Sequence, residues 1–189
     1  MSAEPDWGEG EGFVPDDAPW TDEDFVTRDF RREDAPGLIA LFRAAVLETA
    51  AAHYDAAQCA AWAAAADDET RFTQALVDGW VRVAEDSAGL IGFAQMDLPG
   101  ELSMLYTAPR AARCSVATAL LEDMMPLAEA MGAAQIDAHA SAMARPLLER
   151  FGFKTVAEES VVRNGATLTR WHMQRSVHPA GSGKSRKKR

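Results

Sequence analysis

Cysteine is scarce in this 189-residue chain, where Cys59 and Cys114 are the only two. Two thiols in a chain of this length exclude a disulfide-stapled scaffold and fit a reducing compartment. The four histidines (His53, His139, His172, His178) and the two cysteines fall at no metal-ligand spacing, so no metal site is expected. Tyrosine is equally scarce, with Tyr54 and Tyr106 alone. No apolar run approaches the ~18 residues that span a bilayer, and MSAEPDWGEG has neither a basic flank nor an apolar segment. The expectation is a cytoplasmic protein with no membrane partner. Bases are missing from positions 1–24, which hold nine acids, and acids are missing from PAGSGKSRKKR at 179–189, which holds five bases. Removing both ends from the net charge of −10 leaves −6 on the middle. Such a middle disfavours phosphate backbones, so no specific nucleic-acid partner is expected. It favours a cationic acceptor by complementarity of charge. The KSRKKR tail is open either to an acidic partner or to plain solvation.

What is present describes one substantial core: 48% of residues are hydrophobic and 25% charged. Residues 1–23 read as an acidic, mobile leader, although Trp7, Phe13 and Trp20 suit a segment lying on the domain. Residues 24–175 form the folded unit, and 176–189 a basic flexible tail. A strand opens at Asp24. Glu33-Asp34-Ala35-Pro36 then starts a helix whose apolar face runs through Ala52. Helices follow at Ala56–Ala64 and Asp68–Val77. From Trp80 the period changes to two, giving WVRVAED, a Ser87-Ala88-Gly89 turn, LIGFAQMD, a Pro99-Gly100 turn and ELSMLYT. A helix from Arg113 to Ala130 is bent by Pro126 and stopped by Gly132. AQIDAHA, AMARPLLERF, the Gly152 turn, KTVAEESVV, the Asn164-Gly165 hairpin and ATLTRWHMQ complete the order. The fold class is α/β, with a mixed, mostly antiparallel twisted sheet of about six to seven strands and helices on both faces.

The stretch Glu101–Met131 carries the chemistry. An apolar strand ends in a proline turn, and small residues with one arginine open a helix, whose first turn leaves backbone N–H groups bare for an anion. With the strand–helix–Gly152-Phe153 block after it, this points to an acyl-CoA-binding transferase. The Arg31–Asp34 opening, AAVLETAAAHY at 44–54, Leu105–Pro109, Ala119-Leu120-Leu121, ARPLLERFGF and NGATLTRWHM carry the resemblance. In these residues the chain resembles the GNAT superfamily of acyl-CoA-dependent N-acyltransferases over about 24–175, and locally its YafP-like bacterial branch.

The resemblance implies direct transfer from acetyl-CoA to a small amine or a protein amino group, with a homodimer as one possible assembly. It places the pantetheine along Ser103–Tyr106, with Met104, Leu105 and Tyr106 as contacts. It places the pyrophosphate on Arg113, Cys114, Ser115, Val116, Ala117 and Thr118. The family loop has glycine where Ser115 stands, and Ala117 satisfies its second small position. A Cβ at 115 narrows the approach and penalises a positive φ. Cys114, beside Arg113 at a helix N-terminus, is either a sensitised thiol or a small residue tolerated in a tight loop. A catalytically silent GNAT-like protein acting through partner contacts is the alternative.

The family's usual thiolate acid, a tyrosine, is replaced by Leu148. Glu48, His53 and Tyr54 are candidates to take a proton from the amine, and serve equally well to cap and cover a helix end. Glu101 is a further candidate base acting through water, or plain surface. Tyr106 reads as a packing residue and His139 as a satisfied buried histidine. Trp171 and His172 lie on the last hairpin strand, which would border the acceptor pocket; Trp171 is either a core residue or a wall of that pocket.

Overall fold

The computed structural model describes residues 24–98 and 100–177. The leader with its three aromatics, Pro99, and the basic residues after Val177 lie outside the described residues. The period-two segments form β2 (Trp80–Asp86), β3 (Gly89–Asp97) and β4 (Glu101–Thr107), an antiparallel meander with β1 (Val26–Asp29) beside β2. β5 (Gln135–Ala140) runs parallel to β4, and β7 (Ala166–Ser176) joins β5 to β6 (Lys154–Arg163). The sheet has seven strands in the order β1-β2-β3-β4-β5-β7-β6, as the mixed, mostly antiparallel expectation required.

α1 (Ala35–Ala44), α2 (Ala56–Ala63) and α3 (Glu69–Asp78) cover one face, where Leu38, Phe42, Phe72 and Leu76 meet Val83 and Phe93. α4 (Val116–Ala130) and α5 (Arg145–Arg150) cover the other, where Leu120, Met124 and Leu148 meet Met96, Ile136 and Met173. Each large apolar side chain fully buried this way contributes ~1.5–3 kcal/mol. Gly92 sets how closely α4 lies on β3: a Cβ there would sit 2.7 Å from Val116 Cγ1 and 3.2 Å from Tyr106 O.

The long first helix is not uniform. After Ala44 it widens into a π-type turn over Ala45–Thr49 and tightens into a 3₁₀ turn over Ala50–Ala52. Among the described residues Arg32–Ala52 is the one helical stretch long and apolar enough to cross a membrane. This corrects the expectation of no such run, because Arg43 and Glu48 interrupt the apolar sequence without lowering its average enough. Its Leu38, Ile39, Leu41, Phe42 and Val46 are buried in the core between helices and sheet.

Asp34 anchors its start. The Asp34 carboxylate accepts the Arg31 N–H at 2.7 Å and both Arg28 terminal nitrogens at 2.7 and 2.9 Å. The Arg28 hydrogen bonds hold that carboxyl below the usual range against the opposing effect of desolvation.

Two predicted boundaries move. α4 starts at Val116 instead of Arg113, because Arg113 and Ser115 adopt φ of 67° and 61°, outside the right-handed helix. The folded unit also extends past 175, since Ser176 ends β7 and the Val177 N–H donates to Ala134 O at 3.0 Å. Gly132 ends α4 as expected: at φ 75° its N–H reaches Glu129 O while Ala133 N–H reaches Ala128 O.

Candidate active site

A bulge in β4 opens the sheet. Gln95 opposes Met104 while Met96 opposes Leu102, so Ser103 is an extra residue on β4. On its other side β4 pairs with β5 only through Glu101–Asp137 and Leu102–Ala138, although both strands continue. From Ser103 onward they diverge. Ala108 N–H donates to Ile91 O, and the register continues through Tyr106–Phe93 and Met104–Gln95. Two-residue alternation therefore turns the peptide groups of Leu105 and Thr107 toward the opening. Asp137 N–H donates to Gly100 O, so the same alternation turns the His139 peptide toward it from β5.

The start of α4 lies on the same polypeptide, directly after this strand and the 3₁₀ turn Pro109–Ala111. Ser115 caps the helix in left-handed conformation without a side-chain capping bond, and the first helical bond runs from Ala119 N–H to Ser115 O. The N–H groups of Val116, Ala117 and Thr118 precede that bond and are outside the ladder. Ser115 thus keeps the conformation a glycine would take there, at a cost of ~1–3 kcal/mol. Cys114 Sγ lies 3.4 Å from Ala112 O and packs against the core, which favours its reading as a small packing residue.

On the α2 side of the opening is a cleft of about 170 Å³, lined among others by Tyr54, Trp62, Glu101, Tyr106, His139 and Arg163. The structure brings Tyr54 and Glu101 to it. Glu48 and His53 are exposed and are not among its lining residues, so the trio does not converge there. Tyr54 is engaged twice: its hydroxyl donates to Thr169 O at 3.0 Å and accepts from Ala142 N–H at 3.1 Å. Tyr106 accepts from Trp62 Nε1 at 3.2 Å and packs against Phe42 and Phe93. Desolvation pushes its phenol up to about 12.

His139 is not the satisfied buried histidine expected. It faces the cleft, with Nδ1 3.3 Å from Glu159 Oε2 and its ring stacked on His172 at 5.1 Å. Neither Trp171 nor His172 lines the cleft, and Trp171 packs against the core, the other reading open to it. His172 Nε2 lies 2.7 Å from Asp137 Oδ1, and Trp171 carries the Arg145 guanidinium 5.3 Å from its ring centroid. Leu148 is buried in the α4–α5 core. The sequence reading missed Trp62 and Arg163, and marked Ser103 as the start of the splayed strand without its bulge. The bulge that frees Ser103 leaves no composition signal, and Arg163 is placed only by how the hairpin tip docks on α2. Among the described residues, no group of three or more His, Cys, Asp or Glu side chains is placed to hold a metal ion.

The family model described as an acetyltransferase (GNAT) domain matches residues 50–175. The N-acetyltransferase YafP of Escherichia coli (strain K12), itself described as uncharacterized, is 35% identical over 147 residues, covering 78% of this chain and 93% of YafP. A GCN5-related N-acetyltransferase structure from Rhodopseudomonas palustris, also called a class-II aminotransferase, superposes with a TM-score of 0.77. It is 31% identical, covering 80% of this chain and 95% of its own. The PaiA N-acetyltransferase of Thermoplasma acidophilum, in complex with coenzyme A, shares the fold at a TM-score of 0.66. It is 18% identical, with 81% and 99% of the two chains covered. By the extent of the domain match and the identity to YafP, the chain belongs to the GNAT acetyltransferase family.

Proposed function

We propose that this protein transfers an acetyl group from acetyl-CoA to the nitrogen of an amine. The observation that carries the reading is the departure of β4 from β5 after Leu102, which leaves peptide groups on both sides of a gap open to a ligand. The left-handed Ser115 cap, with unbonded N–H groups after it, fits a pyrophosphate at the end of that gap. Arg113 and residues 114–118 would hold it, and the opened edge of β4 the pantetheine amides. Acetyl-CoA supplies an activated thioester.

The chain's own groups do the rest. The Leu105 N–H, turned toward the opening while that of Tyr106 pairs with β3, would polarise the thioester carbonyl. Glu101, on the cleft wall where β4 leaves β5, takes a proton from the amine through water as the C–N bond forms and the C–S bond breaks. The thiolate then takes its proton from solvent. A thiol of pKa ~8.5 needs no dedicated acid, and Tyr106, pushed up to about 12, is the weaker acid of the two.

Calorimetric titration with acetyl-CoA tests the reading. Saturable binding that Arg113→Glu weakens supports it. No heat and no thermal shift at millimolar acetyl-CoA would instead make this a silent member of the family, acting through partner contacts.

A further inference from the structure

The charges that face the cleft do not repeat the acidity of the chain. Arg170 lines it but is committed: its Nε donates to Glu159 Oε2 at 2.8 Å. The same carboxylate oxygen is the partner of His139. Two lining groups remain without an ion pair among the described residues, Glu101 at the start of β4 and Arg163 at the end of β6. One is an anion and the other a cation, and they belong to different walls. The whole-chain argument for a purely cationic acceptor therefore fails locally, because the net negative charge lies elsewhere.

Arg163 is also held in place by its backbone. It pairs with Ala166 across the Asn164-Gly165 turn, whose φ values are 44° and 82°. Asn164 Nδ2 donates to Ala61 O, and Gln58 Nε2 donates to Thr167 O at 2.7 Å. The hairpin tip that follows Arg163 is thus tied to α2 at two points, Asn164 and Thr167. Across the cleft the Tyr106 phenol stays neutral at ordinary pH, and Trp62 Nε1 is spent on it, so neither competes for a charged ligand group. A cleft of about 170 Å³ is below the ~300–1,000 Å³ of sites for drug-sized ligands and suits a small acceptor group.

Building on the transferase reading, we infer that the acceptor is a small amine that also carries a carboxylate, a free amino acid in its simplest form. Arg163 binds the carboxylate and so determines specificity, while the amine lies toward Glu101. A guanidinium suits a carboxylate because its parallel N–H groups match the two oxygens. A peptide N-terminus offers an amide at that position and a diamine offers a second cation. Both are rejected.

Thiol release from acetyl-CoA would be followed with the proteinogenic amino acids, their carboxamides, and putrescine. At least one amino acid should exceed its own carboxamide in kcat/KM by roughly tenfold or more, mostly through KM. Arg163→Ala should remove that preference, and Arg163→Lys should restore part of it. Equal use of acid and amide, preference for amides or putrescine, turnover of no amino acid, or a preference that survives Arg163→Ala overturns the inference. Acetyl-CoA affinity measured on the same preparation separates the two levels. Binding without use of amino acids defeats only the acceptor assignment, whereas no binding defeats the transferase reading beneath it.

Discussion

Tyr54 and Thr169 are joined across the cleft by a hydrogen bond of 3.0 Å from the phenol to the main-chain carbonyl. Because the same hydroxyl accepts from Ala142 N–H, one side chain ties the end of the first helical segment to β7 and to the loop after β5. Tyr54→Phe leaves a carbonyl and an N–H without this partner. Urea unfolding should show a loss of ~1–3 kcal/mol, and kinetics a higher acceptor KM with kcat nearly kept. An unchanged denaturation midpoint would show that water replaces the hydroxyl.

Ser115→Gly removes a Cβ from a left-handed cap. The variant should be more stable by ~1 kcal/mol and should bind acetyl-CoA at least as tightly, while Ser115→Val should weaken both. Thermal melts and calorimetry would check this. Equal behaviour of glycine and valine at 115 would mean that the strain is absent in solution.

Glu101→Gln should lower turnover on an identified acceptor by on the order of 10²–10⁴-fold, with acetyl-CoA affinity retained. His53→Ala and Glu48→Gln, exposed and outside the cleft lining, should cost much less. The reverse ranking in steady-state assays would return the base to the end of the first helical segment.

Gly92→Val places carbon where Val116 Cγ1 lies 2.7 Å from even a single added methyl. The start of α4 must shift, at ~1–3 kcal/mol for overpacking, and acetyl-CoA affinity should fall with it. Ordinary affinity in a destabilised variant would separate packing from ligand binding.

The Asp34 carboxylate is held below its usual range chiefly by Arg28. The unfolded chain therefore takes up this proton before the folded one does. The resulting stability is complete above the unfolded value of ~3.9 and is lost as pH falls through the lower folded value. Asp34→Asn should be less stable near neutrality by ~1.5–3 kcal/mol. The gap to the wild type should narrow as urea unfolding is repeated at progressively lower pH. A gap that stays constant would argue against the linkage.

Hydrophobic periodicity made the strand and helix order legible, because both the two-residue alternation from Trp80 and the Leu38–Phe42–Val46 spacing are local properties. The stops at Gly132 and Gly152 were legible for the same reason. The first helix was not, since its widening at Ala45–Thr49 depends on what it packs against. Nor was the composition of the cleft. Glu101 and Tyr54 could be marked by position, but His139 reads as buried until β5 is seen at the edge of an opening. Arg163 looks like a solvated turn-proximal charge until the hairpin tip is found tied to α2. Such residues acquire a role from tertiary docking, which one-dimensional spacing does not encode.

The two residue pairs that join β4 to β5 divide the sheet into a four-strand wing and a three-strand wing with few main-chain bonds between them. A molecule whose amides lie between the wings would act as a short missing strand, bonded to both. Apparent stability then becomes a function of ligand concentration, rising by RT ln(1 + [L]/Kd). Amide hydrogen exchange at Leu105, Thr107 and His139 should respond to that ligand more than exchange in the β2–β3 ladder.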